Sequence, residues 1–234
     1  MSITEPDLRS IVAAATPWLS AARWYSGAST PDTTLAFSHR LTETSQFLWL
    51  IVDGLNVPVI VTDEEVIDAT EDPLGQIALY DLATGRVASA MEADPYRPAC
   101  EVLSAEKIRS EQSNTSMIYT RADAAPVILK LFRVFAPGPN PDVDLPRVLE
   151  TTGTVPSQYG TARVSVDGKR ADVVVVQEFL EGAKDAWQVF RAYLEDGHGD
   201  PDEIAASIPE LGAMTRRIHD ELARALPVSE CTAE

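Results

Sequence analysis

The chain opens with one helical stripe and then breaks into short apolar runs. Leu8, Ile11, Val12, Ala15 and Leu19 recur at helical spacing, which predicts a helix begun by Thr4 or Pro6, in a segment that Gly27 ends. TTLAFSHRLT, QFLWLIVDG and VPVIVTD follow, rich in β-branched and aromatic residues and separated by turn residues, so they read as strands of a meander. GQIALYDLATGRVAS reads as one more strand, turning at Thr84 and Gly85. The two prolines of EADPYRPACE then mark a boundary, which predicts a first unit over residues 1–98.

EVLSAEKIRS, SMIYT and PVILKLFR are three further strands joined by the tight connections EQSNT and RADAA, so an antiparallel sheet is the simplest layout. NPDVDLPRVLE predicts a helix capped by Asn140, with Pro141 in its first turn and Pro146 limiting its length. TARVSVDG and KRADVVVVQEFL form a hairpin around Asp167 and Gly168, which completes a five-stranded second unit over residues 99–181. Two amphipathic helices, DAWQVFRAYLEDG and PDEIAASIPELGAMTRRIHDELARAL, fill residues 182–234. The second gathers Ile204, Ile208, Leu211, Met214, Ile218, Leu222 and Leu226 on one side. The fold class is α+β, with antiparallel sheets and helices segregated along the chain.

Composition narrows the range of partners. Hydrophobic residues make up 45% and charged residues 24%, as in folded globular proteins, and no apolar run reaches the roughly 18 residues of a membrane span. MSITEPDLRS is acidic and lacks the basic-then-apolar order of a secretory leader, so a cytoplasmic protein is expected. A formal net charge of −17 repels nucleic acid and anionic lipid alike. The charge is uneven: residues 1–98 hold 5 basic and 14 acidic side chains, residues 99–181 hold 9 and 11, and residues 182–234 hold 5 and 11. Any anion is therefore expected in the middle segment. Cys100 and Cys231 make neither a disulfide framework nor a metal spacing, and the three histidines form no catalytic constellation.

One residue breaks the apolar pattern. Lys130 interrupts Val127, Ile128, Leu129, Leu131 and Phe132, and a buried ammonium needs a partner or loses its proton. Asp144, fourteen positions later, is the candidate. Three strands with a central lysine, a short helix bearing an acid, two more strands and the connector QEFLEG give the order of a protein-kinase small lobe, in which a strand lysine holds nucleotide phosphates. The segments ARWYSG, EQSNTSMIY, VILKLFRVFAPGPNPDVDL, VVVVQEFLEGAKDAW and LGAMTRRIH resemble the N-terminal part of actinobacterial maltokinases along nearly the whole chain. That resemblance implies a cap subdomain, a small-lobe-like intermediate subdomain and the opening helices of a large lobe. It also implies ATP and Mg²⁺ as cofactors. It nominates Lys130, Asp144, Ser113, Asn114, Thr115, Gln177, Glu178 and Phe179 as nucleotide-binding positions.

Each nominee also has a plain structural reading. Lys130 reads equally as a strand lysine whose stem packs and whose amine reaches water, and Asp144 as an ordinary carboxylate near a helix N-terminus. Residues 113–116 also read as a polar turn, and QEFLEG as a strand end running into a helix. Arg23, Trp24 and Tyr25 read as a core anchor or as a sugar-touching surface. The chain departs from the family in Ala28, Ser29 and Thr30 after Gly27, and in an aspartate where the helix acid is normally glutamate. The family's catalytic loop and metal-binding aspartate are not met before Glu234, and the His-Gly-Asp of GHGDPDE stands too early and precedes a helix start.

Three functional readings follow. The first is a non-catalytic binding or regulatory subunit in trehalose, maltose or glycogen metabolism, with trehalose synthase as a partner implied by the resemblance. The second is the ATP-binding half of a split sugar kinase whose catalytic lobe is a separate polypeptide, and the third is a fragment of a longer kinase. The apolar side of the last helix predicts self-association or a protein partner.

Overall fold

The computed structural model of the chain describes residues 7–27, 31–87, 92–108 and 114–227. Two compact units divide it. The larger runs to Val143 and takes in Gln158–Phe179; the smaller comprises Asp144–Ser157 and the chain from Leu180 onward.

In the larger unit the first helix, α1 (Leu8–Leu19), is capped by Asp7, whose carboxylate accepts from the Arg9 amide at 3.2 Å. Asp7 is the cap, and Thr4 and Pro6, where the spacing places the start, lie outside the described residues. α1 buries Ile11, Val12, Ala15 and Leu19, the stripe that the spacing predicts. Strands β1 (Thr33–Arg40), β2 (Ser45–Val52), β3 (Leu55–Thr62) and β4 (Val66–Asp68) pair in chain order as an antiparallel meander. Asp53 and Gly54 both take positive φ between β2 and β3, as a tight two-residue hairpin requires.

The segment after Glu71 corrects the sequence reading. Where GQIALYDLATGRVAS predicts a strand, the chain forms helix α2 (Pro73–Ala83). Asp72 caps it by accepting from the Gly75 amide at 2.9 Å, and Pro73 stands in its first turn. Gly75, Ala78, Leu79, Tyr80, Leu82 and Ala83 are buried while Leu74 and Ile77 are exposed, so apolar residues stand on both sides and no polar stripe shows a 3.6-residue period. Gly85, with φ near +68°, ends the helix instead of turning a hairpin. A Cβ at Gly75 would stand 2.4 Å from the Ala69 carbonyl oxygen, so only glycine lets α2 approach so closely.

The second sheet has six strands, one more than expected. β5 (Glu92–Pro95), β6 (Val102–Ile108), β7 (Asn114–Arg121), β8 (Ala124–Phe132), β9 (Gln158–Val166) and β10 (Lys169–Glu178) lie in the order β5-β9-β10-β8-β7-β6, every pair antiparallel. β5 comes from EADPYRPACE and adds to the free edge of β9, a position that tolerates Pro95. Asp167 and Gly168 turn the β9–β10 hairpin with positive φ at both residues, as predicted.

One hydrophobic core joins the two sheets and α2. Phe37, Phe47 and Trp49 from the first sheet, Leu79 and Tyr80 from α2, and Met117, Tyr119, Leu129 and Val174 from the second belong to the same buried cluster. The Tyr119 hydroxyl donates to the Gln76 carbonyl at 2.8 Å and its ring lies 5.3 Å from that of Tyr80, which pins α2 to the sheet.

Helix α3 (Pro141–Leu149) carries Pro146 inside it and ends after nine residues, and the Asp142 amide donates to the Asn140 side chain at 3.0 Å. The smaller unit holds most of α3 together with α4 (Ala186–Asp196) and α5 (Pro201–Ala225). Asp185 and Asp200 cap the last two helices through their carboxylates. Asp200 is the aspartate of the early His-Gly-Asp, and its capping role matches the helix-start reading. Arg217 of α5 donates to the Thr152 carbonyl at 2.6 Å within the same unit. No helix among the described residues is long and apolar enough to cross a membrane.

Candidate functional site

Strand β8 sorts its residues by parity. Val127, Leu129 and Leu131 are fully buried in the shared core, whereas Ile128 and Lys130 on the other face are half-buried. Lys130 is therefore not a buried cation, because side chains alternate across a strand and its position falls out of phase with the core. Arg133 falls in phase. It continues the series 127, 129, 131 into the interior and is 1% exposed.

The Arg133 guanidinium is held from several sides. Its Nη2 donates to Asp68 Oδ2 at 3.1 Å and to Thr70 Oγ1 at 3.4 Å, its Nε to Thr115 Oγ1 at 2.8 Å and its Nη1 to the Asn56 carbonyl at 3.3 Å. The guanidinium carbon stands 4.0 Å from the centre of the Trp24 ring, so ARWYSG supplies a cation–π lid for the charge. Burial pulls the pKa of Arg133 down, and the Asp68 carboxylate opposes that pull. Asn56 extends the network. It accepts from Trp49 Nε1 at 2.9 Å and donates to the Phe132 carbonyl at 2.8 Å through its side chain, while its amide donates to the Arg133 carbonyl at 2.6 Å. These bonds lash the start of β3 to the end of β8. Arg133, Asn56 and Asp68 were not nominated from the sequence. The signal that would have found Arg133 is its strand parity, because a cation in phase with three core residues must bring its own counter-charge.

The nominated positions divide between the faces of the second sheet. Lys130 stands opposite Ser116 on β7 and Val175 on β10; Asn114 stands opposite Phe132, and Gln177 opposite Ile128. Lys130, Asn114 and Gln177 thus share one face, together with the half-buried Ile108, Ile118 and Ile128. Thr115 and Glu178 pair with Leu131 and Val127 and so have core-face parity. Thr115 is buried and its hydroxyl accepts from Arg133. Phe179 follows β10 and its amide donates to the Pro126 carbonyl at 3.3 Å. Asp144 lies on α3, half-buried, in the smaller unit. Ser113 and the Ala28–Thr30 departure fall outside the described residues.

β8 is a central strand of the six, so Lys130 sits in the middle of this face with the three isoleucines around it. Among the described residues of the larger unit, no ion pair engages Lys130. The face therefore offers a cation on an apolar platform, flanked by two side-chain amides. That arrangement can take a planar apolar group and an attached anion. Among the described residues no group of three or more histidine, cysteine, aspartate or glutamate side chains comes together to hold a metal ion.

No family model matches the sequence. The fold is similar to solved structures of glucosamine kinase. A glucosamine kinase in complex with glucosamine, ADP and inorganic phosphate superimposes with a TM-score of 0.60 at 20% identity, and a second structure, crystal form A, with 0.59 at 20%; each covers 94% of this chain and 53% of the kinase. Crystal form B gives 0.56 at 19% identity, covering 88% and 50%. The chain spans about half the length of these kinases. Its architecture is thus a kinase-like α+β fold, similar to that of glucosamine kinases over about half of their length.

Proposed function

We propose that this chain carries the nucleotide-binding face of a phosphotransferase-like protein related to the sugar kinases. The observation that carries the reading is Lys130. It stands on a central strand, half-exposed, within an isoleucine platform and with Asn114 and Gln177 on the same face. A kinase fold uses that strand position to hold nucleotide phosphates. Here the ammonium would hold the phosphates of ATP, the isoleucines would pack on the base, and the backbone following Gln177 would meet its polar edge. ATP supplies a transferable phosphoryl group when bound; the residues named bind and orient it. The finer assignment, a maltokinase-like protein with a regulatory or binding role in maltose, trehalose or glycogen metabolism, rests on the sequence resemblance.

Melting the protein with ATP, with and without Mg²⁺, tests the reading. Ligand at about 100 times its Kd adds about 2.7 kcal/mol to the folded state. The expected result is a concentration-dependent rise in Tm that Lys130→Ala abolishes without lowering the ligand-free Tm. No rise at millimolar nucleotide, or an equal rise in Lys130→Ala, would refute the assignment.

A protein partner is the second reading, favoured by α5. Its residues Ile208, Leu211 and Met214 are 58%, 50% and 42% exposed, an apolar row that a helical partner lobe or a second copy would cover. Solution mass at increasing concentration is expected to show association, and charged substitutions at Ile208 and Leu211 are expected to suppress it. A strict monomer that captures no helical kinase lobe supplied in trans would count against this reading.

A further inference from the structure

We propose that the cleft beneath ARWYSG is a second ligand site, built for a neutral saccharide, which adjoins the Lys130 face and shares Ile108 and Asn114 with it but not Lys130. The cleft lies within the larger unit, measures about 660 Å³ and is lined by Trp18, Arg23, Trp24, Glu65, Glu71 and Lys107, among others. That volume falls inside the roughly 300–1,000 Å³ of small-molecule sites.

Both indoles are held in place before any ligand arrives. Trp18 Nε1 donates to the Val66 carbonyl at 3.0 Å, so its donor is engaged and ring carbon is what remains to make contact. Trp24 is fixed by the Arg133 guanidinium 4.0 Å from its ring centre and by the edge of Tyr25, with 6.3 Å between the ring centres. Fixed aromatic surface costs little conformational entropy on binding. It suits the apolar C–H face of a sugar ring.

The charges of the cleft are balanced. The lining carries Glu65 and Glu71 beside Arg23 and Lys107, Lys107 pairs with Glu71, and Asp68 is neutralised by Arg133. A balanced site gives no net attraction to a phosphate or a polycation. It does offer donors and acceptors side by side, and a sugar hydroxyl is both donor and acceptor. Lys107 Nζ donates to Glu71 Oε1 at 2.7 Å and to Thr70 Oγ1 at 2.9 Å, and this pair engages one of the two oxygens with which a carboxylate accepts. A nucleoside would also stack on indoles, and the titration below separates it from the sugars by which ligand moves the two indoles.

The test uses the whole chain labelled with ¹⁵N, titrated separately with glucose, maltose, adenosine and inorganic phosphate. A neutral saccharide is expected to saturate with a Kd of about 1 mM or tighter. It is expected to move the indole resonances of Trp18 and Trp24 while leaving Trp49, which is fully buried, in place. Glu65→Gln and Glu71→Gln are expected to weaken that binding about ten-fold each, and Lys130→Ala to leave it unchanged. Absence of saturation by both sugars, shifts confined to other tryptophans, tighter binding of adenosine or phosphate as read at the Trp18 and Trp24 indoles, or indifference to both glutamate substitutions would overturn the proposal. Because Lys130→Ala is expected to be neutral here and decisive for nucleotide, failure of either site is read separately.

Discussion

Replacing Arg133 with alanine is expected to destabilise the larger unit by about 3–5 kcal/mol, read as a fall in the denaturation midpoint. The cause is the carboxylate left behind. Asp68 is nearly as buried as Arg133, and without the guanidinium it would keep a desolvated charge with no counter-ion. Thr115 Oγ1 and the Asn56 carbonyl would lose their donor in the same step, and the Trp24 ring its cation. The double replacement Arg133→Met with Asp68→Leu is expected to recover much of the loss, because exchanging a whole buried ion pair for apolar groups is often neutral. A loss below about 1 kcal/mol for Arg133→Ala, the range of an exposed pair, would show that the charge is solvated and the network incidental.

Trp49→Ala is expected to cost a comparable amount, about 3–5 kcal/mol. Trp49 is wholly buried at the meeting of the two sheets, so its removal leaves a cavity that strands on both sides keep from collapsing. Trp49→Phe separates the two contributions. It retains most of the volume but orphans Asn56 Oδ1, which is buried, and an unpaired buried acceptor costs about 1–3 kcal/mol. Asn56→Ala combined with Trp49→Phe should therefore lose less than the two single losses added together. Full additivity in urea denaturation would refute the coupling.

Most elements of this fold are legible in the chain because their patterns are local. The α1 stripe, the three strands of the first meander, the β7–β8 and β9–β10 hairpins and the two terminal helices each announce themselves by period or by turn residues. α2 escapes because its exposed side carries Leu74 and Ile77 in place of the polar face that marks a helix, although Asp72 and Pro73 carry its start in plain view. β5 escapes because four residues ending in proline form a strand only if β9 is there to pair with them. At the site, Lys130 draws attention by interrupting an apolar run. Arg133 draws none at the end of one, yet parity buries Arg133 and leaves Lys130 half in solvent.

The amino-acid order alone determines the periods, the hairpin turns, the helix caps at Asp185 and Asp200 and the parity of every residue on β8, since these depend on neighbours a few positions away. Tertiary structure alone decides which face of that strand is interior, which carboxylate answers Arg133, and that Trp18, Trp24 and Lys107 converge on one cleft. Asp68 and Arg133 are 65 residues apart, and no local pattern specifies a pairing across that distance. It forms because the packed core excludes water from both charges, and each then lowers the cost of burying the other.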